Sequence, residues 1–333
     1  MLRRDFIGMS IGLAALAASP ARAARVANPG PAGMSAAEFH ASRKFAATRF
    51  GNIAYMERGS GEAALFLHGF PLNSFQWRGV IGPLSAVRRC IAPDFLGLGY
   101  TEVAPGQDVG PDAQVAMLVA LLDQLGAGKV DLVANDSGGA IAQLLMTRHP
   151  ERVRSVLLTN CDSEIECPPK AMEPVIAMAH AGTFADQWLA AWVADKALAR
   201  SAEGLGGQCY QDPHQPSDEA IDCYLRPLVA TPARKQLVHA YAISLERNVL
   251  AGVEAGLKAS AAPARILWGS ADTIFSNAGA QYLERTLGKS RGVRKLAGSK
   301  LFWPEERPGV IVAEARALWA HASGSVRTPG SRA

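Results

Sequence analysis

The sequence predicts an α/β fold: a mostly parallel sheet flanked by helices, with a block of helices inserted before the sheet is complete. Three observations carry this expectation. Short apolar runs bounded by glycine or proline recur at Ala63–Leu67, Arg89–Pro93 and Val130–Ala134, as buried parallel strands require. Between and after them lie segments with helical spacing of apolar residues, so strand and helix alternate. That rhythm stops after Asn160, gives way to helical, proline-interrupted sequence, and resumes at Ala264–Trp268.

Taken in order, residues 1–23 read as an export signal. Leu2-Arg3-Arg4-Asp5-Phe6-Ile7 resembles a twin-arginine motif, Phe6–Ala18 is apolar but short for a bilayer, and Ala21-Arg22-Ala23 offers a cleavage site. The expectation is a periplasmic or secreted protein starting near Ala24, with no membrane association after cleavage, and a linker over 24–43. Residues 44–162 form the first half of the core. Lys44–Phe50 and Asn52–Arg58 read as a hairpin. Asp112–Leu125 places Val115, Leu118, Val119, Leu122 and Leu125 on one helical face, with Gly126 as its stop. A helix at Gly138–Arg148 and a strand at Val153–Thr159 follow. Residues 163–248 are the helical block, read as a lid. The second half of the core, 249–320, holds strand Ala264–Trp268, helix Ala278–Leu287, strand Val293–Leu296 and helix Val310–Trp319. The last residues, 321–333, are small and polar and read as a disordered tail.

Composition narrows the function. The 333 residues are 49% hydrophobic with a net charge of +4, and no Lys/Arg block with interleaved aromatics suggests a nucleic-acid partner. The seven histidines show no metal-binding spacing and the five cysteines no CxxC, so neither a metal nor a cofactor is expected. Pairings of Cys161 with Cys167 and of Cys209 with Cys223 are open to an oxidised chain, and Cys90 reads as buried. The expected partner is a small-molecule substrate.

The chemistry concentrates in five motifs: His68-Gly69-Phe70-Pro71 after one strand, Pro93-Asp94-Phe95-Leu96-Gly97 after the next, Ala134-Asn135-Asp136-Ser137-Gly138-Gly139 at a strand-to-helix turn, His149-Pro150-Glu151-Arg152-Val153, and Gly269-Ser270-Ala271-Asp272 after the late strand. Together, in this order, they resemble the α/β-hydrolase fold over about Lys44 to Trp319. The turn fits the pattern small-x-nucleophile-x-small-small, which puts Asp136 at the nucleophile position. An aspartate there resembles the haloalkane dehalogenase and epoxide hydrolase branch, in which the carboxylate attacks carbon to give an alkyl ester that water cleaves. The resemblance implies oxyanion donors in the backbone N–H groups of Phe70 and Ser137 and Asp272 as the acid. His68, just behind the oxyanion loop, and Trp77, Tyr210, Tyr224 and Tyr241 are the candidate substrate contacts.

Two departures limit that implication. The residue after the nucleophile is Ser137, where the branch carries a Trp or Arg that serves its substrate. The general-base histidine is missing: counting back from Glu306-Arg307-Pro308, its place falls on Leu301 or Lys300. Lys300, or His180, His214 or His239 of the helical block, are the candidate substitutes. Three functions follow: an Asp136 hydrolase of an epoxide, alkyl halide or ester; a Ser137 esterase; or a weakened hydrolase fold that binds a small molecule.

Overall fold

A computed structural model describes residues 33–324. The expected export signal, most of the expected linker, and the tail from 325 onward lie outside the described residues.

Hydrophobic runs become the centre of a nine-stranded sheet ordered β1-β2-β4-β3-β6-β7-β8-β9, with β5 off this path and paired to the start of β2. The strands are β1 Lys44–Thr48, β2 Gly51–Arg58, β3 Ala63–Leu67, β4 Arg89–Pro93, β5 Glu102–Val103, β6 Val130–Asp136, β7 Val153–Cys161, β8 Ala264–Gly269 and β9 Ser290–Leu296. The run from β4 to β9 is parallel, while β1, β2 and β5 add an antiparallel margin. Every residue of β3 and β6 is buried, because helices cover both faces of a parallel sheet. The edge strands β1 and β9 each bury a single residue, Ala46 and Leu296, and carry Lys44, Arg291, Arg294 and Lys295, charges that discourage edge-to-edge pairing.

Helices α2 Arg78–Leu84, α3 Pro111–Gln124 and α4 Ser137–Arg148 belong to the first half of the chain. Besides shifts of a few residues at strand and helix ends, the two ends of the described residues differ from the sequence expectation. Helix α1, Ala36–Ser42, occupies part of the segment read as linker; Ser35 and Glu38 close a capping box, and Phe39 is fully buried against Phe75. The final helix, α10 at Pro308–Gly324, runs past the expected start of the tail. Its Ile311, Ala315, Leu318 and Trp319 repeat at helical spacing and are buried, which anchors it to the core.

Only helices and turns lie between β7 and β8. They include α5 Glu173–His180, a π turn at Ala185–Ala190, α6 Leu205–Cys209, α7 Asp218–Val229 and α8 Pro232–Ser244; α9 Asn277–Thr286 comes after β8. In α7 the Ser217 hydroxyl caps the N-terminus at 3.1 Å from the Ala220 N–H, and Ile221, Tyr224, Leu225 and Leu228 form the buried face. A buried polar knot fastens this insertion to the core. Arg78 pairs with Glu305, whose carboxylate also accepts Tyr210 Oη at 2.5 Å and Tyr224 Oη at 2.8 Å.

Candidate active site

The site is built where β6 turns into α4. Asp136 is the one non-glycine residue with positive φ among those described, at φ 54° and ψ −136°. That backbone costs on the order of 1–3 kcal/mol and persists only because the surroundings impose it. Tight packing imposes it here: a Cβ on Gly138 would lie 2.5 Å from the His68 carbonyl, and one on Gly139 would lie 2.3 Å from Cys161 Cβ. Large residues at those two positions would force the turn apart.

One side of the Asp136 carboxylate meets backbone donors. The Ser137 N–H, first in α4, donates to Oδ1, and the Phe70 N–H faces the same carboxylate. Gln76 locks this geometry by accepting the Gly69 N–H at 2.9 Å and donating to Asn135 Oδ1 at 2.6 Å, which ties the oxyanion loop to the elbow. Asn135 is further held by Thr159, Asn160 and the Leu301 carbonyl.

Two more carboxylates stand at neighbouring strand ends. Asp136 is in register with Cys161, so Asp162 emerges one residue beyond β7 beside it, and Asp272 lies past β8. Burial holds Asp136 well above the usual carboxylate range, Asp162 and Asp272 add to the rise, and the Ser137 and Phe70 N–H groups oppose it. Burial likewise pushes Asp162 up to about 7 and Asp272 up to about 6. Asp272 is fully engaged: Oδ1 accepts the Ile274 N–H at 2.9 Å and Oδ2 accepts Asn160 Nδ2 at 2.8 Å. Asn160 therefore occupies an oxygen that the acid of the family offers to its histidine.

Several residues singled out by sequence are turned away from Asp136. His68 is fully buried, with Nδ1 2.9 Å from the Gly69 carbonyl and Nε2 accepting the Phe95 N–H at 3.0 Å, so it braces the loop and is not a substrate contact. Trp77 is buried against Phe66 at 5.8 Å. Tyr210 and Tyr224 are committed to Glu305, because a buried carboxylate paired with Arg78 draws in their hydroxyls. Lys300 reaches the Gly207 carbonyl at 2.5 Å, and the side chain at the next position is the buried Leu301. His180 faces Glu246 at the surface, His214 is exposed, and His239 accepts the Ala185 N–H at 3.0 Å. The cysteines are all thiols, Cys161 and Cys167 included.

Tyr241 alone among the candidate phenols stays at the elbow. Its hydroxyl lies 3.2 Å from Ser137 Oγ, and its ring stacks on Phe70 at 5.3 Å and 8°. Burial raises this phenol above its usual range. It stays protonated at neutral pH, so it can donate a proton but cannot take one from Ser137. A cavity of about 80 Å³ lies above Phe70, lined by Phe184, Trp188, Trp192, Leu205, Cys209 and Ile274 among others, with no charged side chain in its wall. Cys209 is buried within electrostatic reach of Asp272 and Asp136, so the insertion supplies a neutral thiol near both acids.

Comparison with known proteins gives the family and the fold. The family model described as alpha/beta hydrolase fold matches residues 64–301. The chain belongs to the α/β-hydrolase family. Among curated relatives of this family, haloalkane dehalogenase 2 of Mycobacterium bovis is 35% identical over 119 residues, covering 36% of this chain and 41% of the relative. Epoxide hydrolase 2 of Siraitia grosvenorii is 42% identical over 108 residues, covering 32% of this chain and 34% of the relative. The matched part thus spans well under half the length of these curated relatives. In three dimensions, an α/β-hydrolase-fold protein from Burkholderia ambifaria superposes with a TM-score of 0.70 at 23% identity, over 81% of this chain and 96% of that one.

Within the family frame, Asp162, Asn160, Gln76 and Cys209 are the site residues that motif reading missed. A signal existed for Asp162: sites in parallel sheets gather at the carboxyl ends of the strands, and Asp162 is the first residue past β7. Cys209 carried no such signal, since it comes from the insertion.

Proposed function

We propose that this α/β-hydrolase uses Asp136 as a nucleophile on a small, mainly apolar substrate, an epoxide, alkyl halide or ester, through a covalent ester on the carboxylate. The observation that carries this reading is the elbow itself: a single strained aspartate whose carboxylate is held by the Phe70 and Ser137 N–H groups. Once Asp136 is ionised, attack on carbon needs no further proton removed, so the missing histidine does not prevent this step, and the raised pKa of Asp136 makes alkylation faster as pH rises. An aromatic cavity wall without a cation favours an uncharged substrate over a carboxylate. The helical insertion acts as the lid and brings Tyr241 and Cys209 to the site. A Ser137 esterase is disfavoured because the serine hydroxyl faces a protonated phenol and no base.

The test is peptide mass spectrometry after incubation with epoxides, haloalkanes and activated esters. The expected result is turnover, or an adduct on the peptide carrying Asp136, that disappears in Asp136→Ala. Adduct or turnover undiminished in that variant contradicts the proposal. Export is part of the same reading, and replacing Arg3 and Arg4 with Lys should leave the protein in the cytoplasmic fraction.

A further inference from the structure

Cleavage of an Asp136 ester requires a group that takes a proton from water, and of the two residues at the family's histidine position Leu301 is a buried apolar side chain. Of the two other carboxylates, Asp272 is held by backbone N–H groups and by Asn160 on the oxygen that would otherwise be free. Lys300 points at Gly207. Asp162 differs from both.

Asp162 follows Cys161, the register partner of Asp136, so the adjacent parallel strands bring the two carboxylates to the same rim. The bridge between Ser163 and Glu166 closes a tight turn, with the Glu166 N–H 2.8 Å from the Ser163 carbonyl, which sets Asp162 across from Cys167. The Cys167 thiol lies beside the Asp162 carboxylate and favours its ionised form. The main-chain carbonyl of Asp162 accepts Gln143 Nε2 at 2.8 Å, which fixes the backbone. Gln143 Oε1, the other end of that amide, is buried with no protein partner, an acceptor that a water molecule in this corner would satisfy. A carboxylate stabilised by that thiol and by its own main-chain N–H keeps acceptor capacity for that water.

Resting on the Asp136 reading, we infer that Asp162, positioned by Cys167, is the base that activates water for release of the ester. The Asp162 carboxylate takes a proton from water while the water oxygen bonds to Cγ of Asp136. The negative charge moves to the carboxyl oxygen facing the Phe70 and Ser137 N–H groups. Collapse breaks the bond between Cγ and the alkoxy oxygen, which leaves with the proton held by Asp162 as the alcohol. Asp136 keeps one oxygen from water and loses its remaining proton to solvent. The titratable groups that face Asp162 are Asp136 on β6, Glu166 and Cys167 on its own turn, Cys161 on β7 and Tyr241 on α8; burial has the largest effect on its pKa, which Cys167 lowers and Glu166 raises. A group ionising near neutrality is suited to this task.

The experiment compares single turnover in H₂¹⁸O of wild type, Asp162→Asn, Asp162→Glu, Asp272→Asn and Cys167→Ala, with a substrate that wild type converts. Asp162→Asn should alkylate at Asp136 within a few-fold of the wild-type rate and release the alcohol about 10²- to 10⁴-fold more slowly, so that the adduct persists. Asp162→Glu, which retains a carboxylate, should recover part of the release rate. Cys167→Ala should move the midpoint of the release rate to higher pH, since the carboxylate loses the thiol that favours its ionised form, a shift that loosened packing alone does not give. Release from Asp162→Asn as fast as wild type, with ¹⁸O still entering Asp136, overturns the role of Asp162 and leaves the nucleophile intact. An adduct that accumulates only in Asp272→Asn overturns it in favour of Asp272. No ¹⁸O in Asp136 of any protein that turns over refutes the nucleophile reading, and this inference with it.

Discussion

The elbow side of the site and the side facing the C-terminal strands are built to different standards. At the elbow, glycines, a strained aspartate, two backbone donors and the Gln76–Asn135 link all agree with the family pattern. Across the site, Leu301 and Lys300 stand where a base is expected, Asn160 donates to Asp272, and Cys209 comes down from the insertion. Formation and cleavage of a covalent ester need different groups, so one half of such a site can match the family pattern while the other departs from it.

The largest effect that would break this comparison is at Asp136. Asp136→Ala should reduce adduct formation and turnover below detection, measured by peptide mass and product assay, while circular dichroism stays unchanged; residual turnover would place the chemistry elsewhere. Next is the polar knot outside both halves. Glu305→Ala leaves the Arg78 guanidinium buried without its partner and should destabilise the fold by about 3–5 kcal/mol in urea titration. Tyr241→Phe sharpens the choice of substrate. If the substrate is an epoxide, loss of the proton donor should slow ring opening by about 10²-fold or more, whereas an alkyl halide should react nearly as before.

Acidity separates the two halves further. Because Asp162 ionises near pH 7 in the fold and near 4 when unfolded, the folded chain holds a proton that the unfolded chain has lost between those values. Its contribution to stability therefore falls as pH rises from about 4 through about 7. Asp162→Asn should flatten that fall, with the melting temperature rising relative to wild type at pH 8 and changing little at pH 4. The smallest effect is at Ser137. Ser137→Ala keeps the backbone donor and should change turnover by less than about tenfold, and a loss comparable to Asp136→Ala would instead favour a serine nucleophile.

How much of this was legible depends on the kind of force involved. The bounds of β3 coincide with the apolar run at Ala63–Leu67, because full burial on both faces leaves no ambiguity. The two-residue strand β5 carries no period to read. Helix α1 was hidden in an apparent linker, although the spacing of Ser35 and Glu38 was a capping signal. At the site, the motifs located Asp136, Phe70, Ser137 and Asp272, since these sit at strand ends with fixed spacing. The tyrosines were not separable by sequence: Tyr210, Tyr224 and Tyr241 look alike, and only the position of Glu305 and Arg78 decides that two of them face away. The partners of Asp162 and Cys209 depend on tertiary packing, which no local pattern encodes.

The central claim is that Asp136 forms and loses a covalent ester. Single turnover of an epoxide or haloalkane in H₂¹⁸O, with enzyme in excess, reads it directly from the isotopic mass of the Asp136 peptide and of the alcohol. The account predicts ¹⁸O in the Asp136 carboxylate and unlabelled oxygen in the product. Label in the alcohol with none in Asp136 would mean that water attacks the substrate itself, and would contradict it.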